Sequence, residues 1–253
     1  MLDGSEIIAP VAGLCCAHLL IATILRFFIA SERTTSGGTL VVNAVAYNLV
    51  VTVAQTIAAI LGTAAWLDGR AAALNVDGTS RLYSASASFA PLLRLTASYE
   101  VYNTIASLCL QEYRTAIFIG HHATTLLLAV LGDKPPLLHY YGFFFFGVVQ
   151  LSSVPLALAE VAQALGADTL LAVCRGIFAC AFLVVRTVIW PLVSLQFWRD
   201  TLETMRDGGR SLGPLGIFLA ANIFLTGLQF LWTGQIVRAL RDVVKGGGGG
   251  KSD

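Results

Sequence analysis

Apolar residues in this chain gather into blocks long enough to cross a hydrocarbon layer, and short polar breaks separate the blocks. A bilayer core needs about 20 apolar residues per spanning helix. Inside that core every backbone N–H and C=O must be paired within the protein, which leaves α-helices or closed barrels. Barrel strands would show alternation in segments of about 10 residues, and none is visible. Only 12% of the residues are charged, against about 25% in soluble domains. The mean hydropathy is +0.75. The expectation is an all-α, polytopic transmembrane helical bundle, and not a soluble enzyme.

The blocks give about seven spans, at roughly residues 7–29, 39–67, 89–110, 114–131, 137–165, 169–198 and 215–240. The N-terminal stretch MLDGSEIIAP lacks the basic region and small-residue cleavage site of a signal peptide, so its apolar block is expected to stay as a helix. In GDKPP, Gly132 is expected to end one helix and Pro135-Pro136 to start the next. A charged loop, RDTLETMRDGGRSLGP, separates the sixth and seventh spans. The expected organisation is an N-terminal helix and loop over 1–38, a membrane domain over 39–244 and a flexible Gly-rich tail over 245–253. Seven spans put the termini on opposite sides, and the arginines divide between the ends too evenly to orient the chain. The net charge of +1 gives no footprint for nucleic acid. The five cysteines lie in apolar blocks without CxxC spacing and read as buried small side chains, not as metal or disulfide positions.

Polar residues inside these blocks recur at helical spacing. The third span carries Thr96, Glu100, Asn103, Ser107 and Gln111 on one face, and the seventh carries Asn222, Thr226, Gln229 and Thr233. The second aligns Asn48, Thr52 and Gln55. The fifth aligns His139, Gln150 and Ser153. Arg175 and Arg186 stand eleven residues apart in the sixth, nearly superposed around an ideal axis. Single Ser, Thr, Asn and Gln side chains commonly join packed membrane helices, for about 0.6 kcal/mol each. A charge at the centre of a span costs about 2.5–3.5 kcal/mol on the insertion scale. Glu100, Arg175 and Arg186 are therefore expected to meet partners or to line a wet cavity. Stripes on nearly every helix point to a ring around a shared polar interior.

His121-His122, in IGHHATTLLLAVLG, is the most reactive pair in the sequence. Neighbours on a helix point about 100° apart, so one ring can face a cavity while the other packs against a neighbouring helix. An imidazole can take a proton from an attacking amine or hydroxyl, or accept an acyl group itself. A metal site would want His at i and i+4 with further ligands, so no metal is expected. His18 and His139 stand alone and are expected to pack. No lysine lies within a span, which excludes a retinal Schiff base. No repeated halves of the transporter kind are visible.

From the third span onward the chain resembles the TLC domain shared by ceramide synthases, the translocating-chain-associating membrane protein and small lipid-homeostasis proteins. The likeness rests on ordered pieces: SYEVYN (98–103), GHHATTLLL (120–128), GFFFFGVVQLSSVPL (142–156), FACAFLVVRTVIWP (178–191) and LQFLWTGQIVRAL (228–240). It implies six to eight helices around a central lipid-facing cavity, with His121 and His122 as the catalytic candidates. Glu100, Asn103, Gln150, Ser153, Arg175, Arg186, Asn222 and Gln229 are the expected lining of that cavity. In ceramide synthases, which transfer an acyl chain from acyl-CoA to an amine, a His-Asp and a further Asp stand where this chain has Val149, Gln150 and Ser153, and an acid stands at Asn103. Without them the imidazoles here lack an evident orienting carboxylate.

Two functions follow as expectations. One is acyl transfer from acyl-CoA to a lipid amine or hydroxyl, with an arginine holding a phosphate or carboxylate. The other is lipid binding or control of membrane composition without turnover. Membrane lipids are the expected partners, acyl-CoA the expected co-substrate, and no bound cofactor is expected. A homodimer stays open as the assembly. The resemblance implies the endoplasmic reticulum or another endomembrane.

Overall fold

The computed structural model describes residues 4–30, 32–36, 38–133 and 136–247. Lys134 and Pro135 of the GDKPP break lie outside the described residues. Eight helices organise the chain. They are α1 (Gly4–Leu25), α2 (Val41–Leu67), the short α3 (Gly78–Tyr83), α4 (Ala90–Cys109), α5 (Ala116–Leu131), α6 (His139–Leu165), α7 (Asp168–Arg206) and α8 (Leu212–Gly247). Five of them, α1, α2, α6, α7 and α8, are long and apolar enough to cross a membrane. The apolar α5 is shorter, and α4 carries the polar stripe. Among the described residues the extended structure amounts to one bridge, between Thr34 and Leu40.

Helix ends follow local chemistry. Thr115 caps α5 by accepting the Phe118 N–H at 3.2 Å. Asp77 caps α3 by accepting the Ser80 N–H at 2.6 Å, and these hydrogen bonds hold its carboxyl below the usual carboxylate range. Gly166 closes α6 in the left-handed region at φ 73°. Both α6 and α7 are interrupted by π-helical turns, at Phe143–Val148 and Leu183–Ile189. The second runs directly into Trp190-Pro191, where the missing proline N–H breaks the α-helical ladder.

Six helices close a ring in the order α2, α4, α5, α8, α7, α6 and back to α2, and α1 packs outside it against α2 and α4. The closest approach joins α2 and α6. A Cβ on Gly62 would strike the Gly147 backbone and the Phe143 carbonyl, so two glycines face each other there. Large apolar side chains on the outer faces are exposed, including Leu19, Leu20, Ile60, Val188 and Leu192, as suits helices solvated by lipid tails. α1 fastens to the ring through His18 Nδ1 and the Tyr102 hydroxyl at 2.8 Å, and through Arg94 and Glu6 at 2.8 Å.

Several boundaries differ from the sequence expectation. The sixth span continues to Arg206, so the first half of the charged segment is helix and only a short turn leads into α8. α4 ends at Cys109, which leaves Gln111 exposed beyond the polar face it was expected to extend. α8 runs through Gly247, so residues 245–247 of the expected flexible tail are helical, and 248–253 lie outside the described residues.

Candidate functional site

The ring encloses two chambers that meet at a polar waist. Gln55, Tyr99, His121, His122, Ser153 and Arg186 line both. The first chamber, about 90 Å³, is walled by aromatic and aliphatic side chains such as Phe89, Phe145, Trp190 and Phe218. It ends at Leu137, Leu138, Tyr141 and Phe197, all buried. Behind them Arg81 of α3 grips Asp200 of α7 with two hydrogen bonds of 2.5 and 2.6 Å, and the Tyr141 hydroxyl donates to the same carboxylate. This lock joins three elements and shuts that end. The second chamber, about 420 Å³, leads away from the waist past Val51, Leu156, Phe182 and Ile236. Through Asn48, Tyr113 and Glu160 it adjoins a polar pocket at the opposite end, under the α1–α2 loop. The second chamber lies within the roughly 300–1,000 Å³ of small-molecule sites, and the first is narrower.

At the waist, α4 and α5 bring Glu100 to His122. Oε2 of Glu100 lies 2.5 Å from His122 Nδ1, with the two side chains 3% and 10% exposed. With Glu100 ionised, this contact places the proton on Nδ1 and leaves Nε2 as the accepting nitrogen. Asn103 lies beside the pair. Its Nδ2 lies 3.3 Å from His122 Nδ1, and its Oδ1 accepts from the Tyr47 hydroxyl at 3.0 Å. The imidazole therefore does have an orienting carboxylate, which corrects the reading that none was present. It comes from α4, one turn before Asn103, and not from the α6 positions where the family's acids stand.

His121 points elsewhere, as adjacent helix positions require. Its ring packs edge-on to Trp232 of α8 at 5.5 Å between centroids, and its Nδ1 is buried without a partner among the described residues. Arg186 sits in the π turn of α7. Its Nε–H donates to Ser152 Oγ at 2.7 Å, and Nη2 donates to Ser153 Oγ at 2.7 Å and to the Val149 carbonyl at 3.3 Å. Nη1 donates to Gln229 Oε1 at 3.3 Å.

Of the residues singled out in the sequence, Glu100, Gln150, Ser153, Arg186 and Asn222 line the cavity with the histidines. Asn103 and Gln229 stand one layer behind and hold His122 and Arg186. Arg175 does not join them. It is exposed on α7 and donates to Gln163 Oε1 at 2.7 Å. The eleven-residue match assumed a uniform helix, and the π turn beginning at Leu183 changes the winding before Arg186. His18 and His139 pack as expected, His139 against Phe89 with Nδ1 accepting the Ser86 N–H at 2.9 Å. Sequence reasoning missed Tyr99, Ser152 and the Arg81–Asp200–Tyr141 lock. Tyr99 lies beside Glu100 in SYEVYN, and Ser152 is the other half of the Ser-Ser pair, so local signals existed for both. Nothing in the sequence joins Arg81 to Asp200. Among the described residues no three His, Cys, Asp or Glu side chains converge as metal ligands.

A comparison with curated proteins and with solved structures returns no match. The family model described as TLC domain matches residues 39–238, which takes in the whole ring from α2 into α8 and leaves α1 outside. This multi-pass membrane protein belongs to the TLC-domain family.

Proposed function

We propose that the protein transfers an acyl chain from acyl-CoA to the amine or hydroxyl of a membrane lipid, with His122 as the base. The observation that carries this reading is the buried Glu100–His122 pair at the junction of two apolar chambers. One chamber takes the acyl chain and the other takes the acceptor lipid, so their reactive ends meet at the waist. The acceptor O–H or N–H gives its proton to His122 Nε2 as the new C–O or C–N bond forms at the thioester carbonyl. Glu100 accepts the Nδ1–H throughout, holds the tautomer and stabilises the imidazolium. The C–S bond then breaks, and His122 returns the proton to the departing CoA sulfur. His121 lines both chambers and offers its ring to the ligand's polar end. Residence in the endoplasmic reticulum or another endomembrane belongs to this reading.

The alternative is a lipid holder that uses the same cavity without turnover. The full chain, purified in detergent and supplied with labelled acyl-CoA and a lipid extract, separates the two. Transfer is expected. It should fall by about 10²–10⁴-fold in His122→Ala, the usual worth of a general base, and comparably in Glu100→Gln. Tightly retained lipid with no transfer of label would favour the holder.

A further inference from the structure

Arg186 is a buried cation at the waist that touches no carboxylate among the described residues. It is 8% exposed and lies near the middle of the 39-residue α7. A guanidinium stays protonated in any protein environment. Each of its protein partners is neutral: two serine hydroxyls, a glutamine carbonyl and a backbone carbonyl. The Phe182 ring lies 5.7 Å below it. Among the described residues no carboxylate is in ion-pair contact with it, and Glu100 is held by His122. The carbonyl of Val149, where the π turn in α6 ends, accepts from Arg186 as well as from the Ser152 N–H and hydroxyl. Two irregular helix segments thus shape one cationic cradle, which opens on both chambers.

A cation in a low-dielectric interior is costly unless paired. Neutral acceptors fix its position and leave its net charge intact. We infer that Arg186 is an anion subsite: it binds the negatively charged oxygens of a lipid ligand, a phosphate or a carboxylate, at the waist. This deepens the proposed function by making one of the two lipids anionic, and it rests on that reading only for the cavity being a lipid site. Four of its five N–H groups are engaged by its neutral partners, so one Nη1 N–H and the charge are left to meet either oxyanion. Ser152, Ser153 and Gln229 fix the guanidinium in place, and Ser153 faces the chambers beside it.

The test uses the full chain in mixed micelles with three probes of equal chain length: phosphatidic acid, free fatty acid and neutral diacylglycerol. Binding is read as retained lipid by mass spectrometry and as the shift in thermal unfolding. Preference for an anionic probe of at least tenfold over diacylglycerol is expected, and the stronger of the two anions names the source as phosphate or carboxylate. Arg186→Gln should abolish that preference, Arg186→Lys should keep part of it, and Arg175→Gln should leave it unchanged. Arg186→Lys, which keeps the charge, and the lipid-free unfolding temperature of each variant separate lost binding from lost folding. Equal retention of all three probes, or anion preference that survives Arg186→Gln, would overturn the inference. Acyl transfer measured on the same samples is a separate readout. Its absence with anion preference intact would defeat the catalytic reading alone.

Discussion

At the scale of single residues, the waist turns on which nitrogen of His122 carries the proton. The 2.5 Å contact puts it on Nδ1 when Glu100 is ionised. Nitrogen NMR of the labelled full chain in micelles is expected to show a protonated Nδ1 and an unprotonated Nε2 in the resting protein. Glu100→Gln should disturb this tautomer with little loss of stability, because an amide can still hydrogen-bond the ring. His122→Ala should destabilise by about 3–5 kcal/mol, since it strands a buried carboxylate. An unprotonated Nδ1 in the parent would remove His122 from the role of oriented base. The participants were legible in the sequence, because a charge or an imidazole inside an apolar block has few cheap explanations. Their pairing was not. Glu100 and His122 are 22 residues apart on different helices, and only the rotation of α4 against α5 decides that they meet. The position of Arg186 against Arg175 failed for a related reason: helical periodicity presumes regular winding, and this helix changes its winding at the site.

At the scale of elements, α2 and α6 approach most closely where Gly62 meets Gly147. Small residues let membrane helices pack backbone to backbone. Gly147→Ala places a methyl against the Gly62 Cα and the Ala58 carbonyl. It is expected to cost about 1–3 kcal/mol through overpacking, measured as a lower unfolding temperature in detergent. Gly176→Ala, whose Cβ would have open space around it, should be neutral or mildly stabilising. Equal effects at the two positions would show that the α2–α6 approach carries no special tightness. The elements themselves were mostly legible. Each of the seven expected segments falls on a helix, and five of those helices are long and apolar enough to cross a membrane. The π turns and the extension of α7 to Arg206 were not. The first depends on competing backbone hydrogen bonds. The second runs past the hydrocarbon, where the charged side chains Arg199 and Glu203 pair at 2.8 Å along an exposed helix face.

At the scale of the whole molecule, six helices surround a passage that is polar at one end, polar again at its waist and apolar in the chamber beyond. The Arg81–Asp200–Tyr141 lock shuts the far end, so a hydrocarbon chain entering past Glu160 would have the aromatic chamber as its terminus. The outer faces also meet lipid, so binding of a fatty chain is informative only when its location is known. The most direct measurement is photolabelling of the full-length protein in vesicles with a fatty acid bearing a diazirine near its methyl end, followed by peptide mapping. Labels are expected on inward residues such as Phe145, Phe197 and Phe218, and to be displaced by excess unlabelled fatty acid. Labels confined to outward residues such as Leu20, Val188 and Leu192, and not displaced, would contradict an internal lipid site.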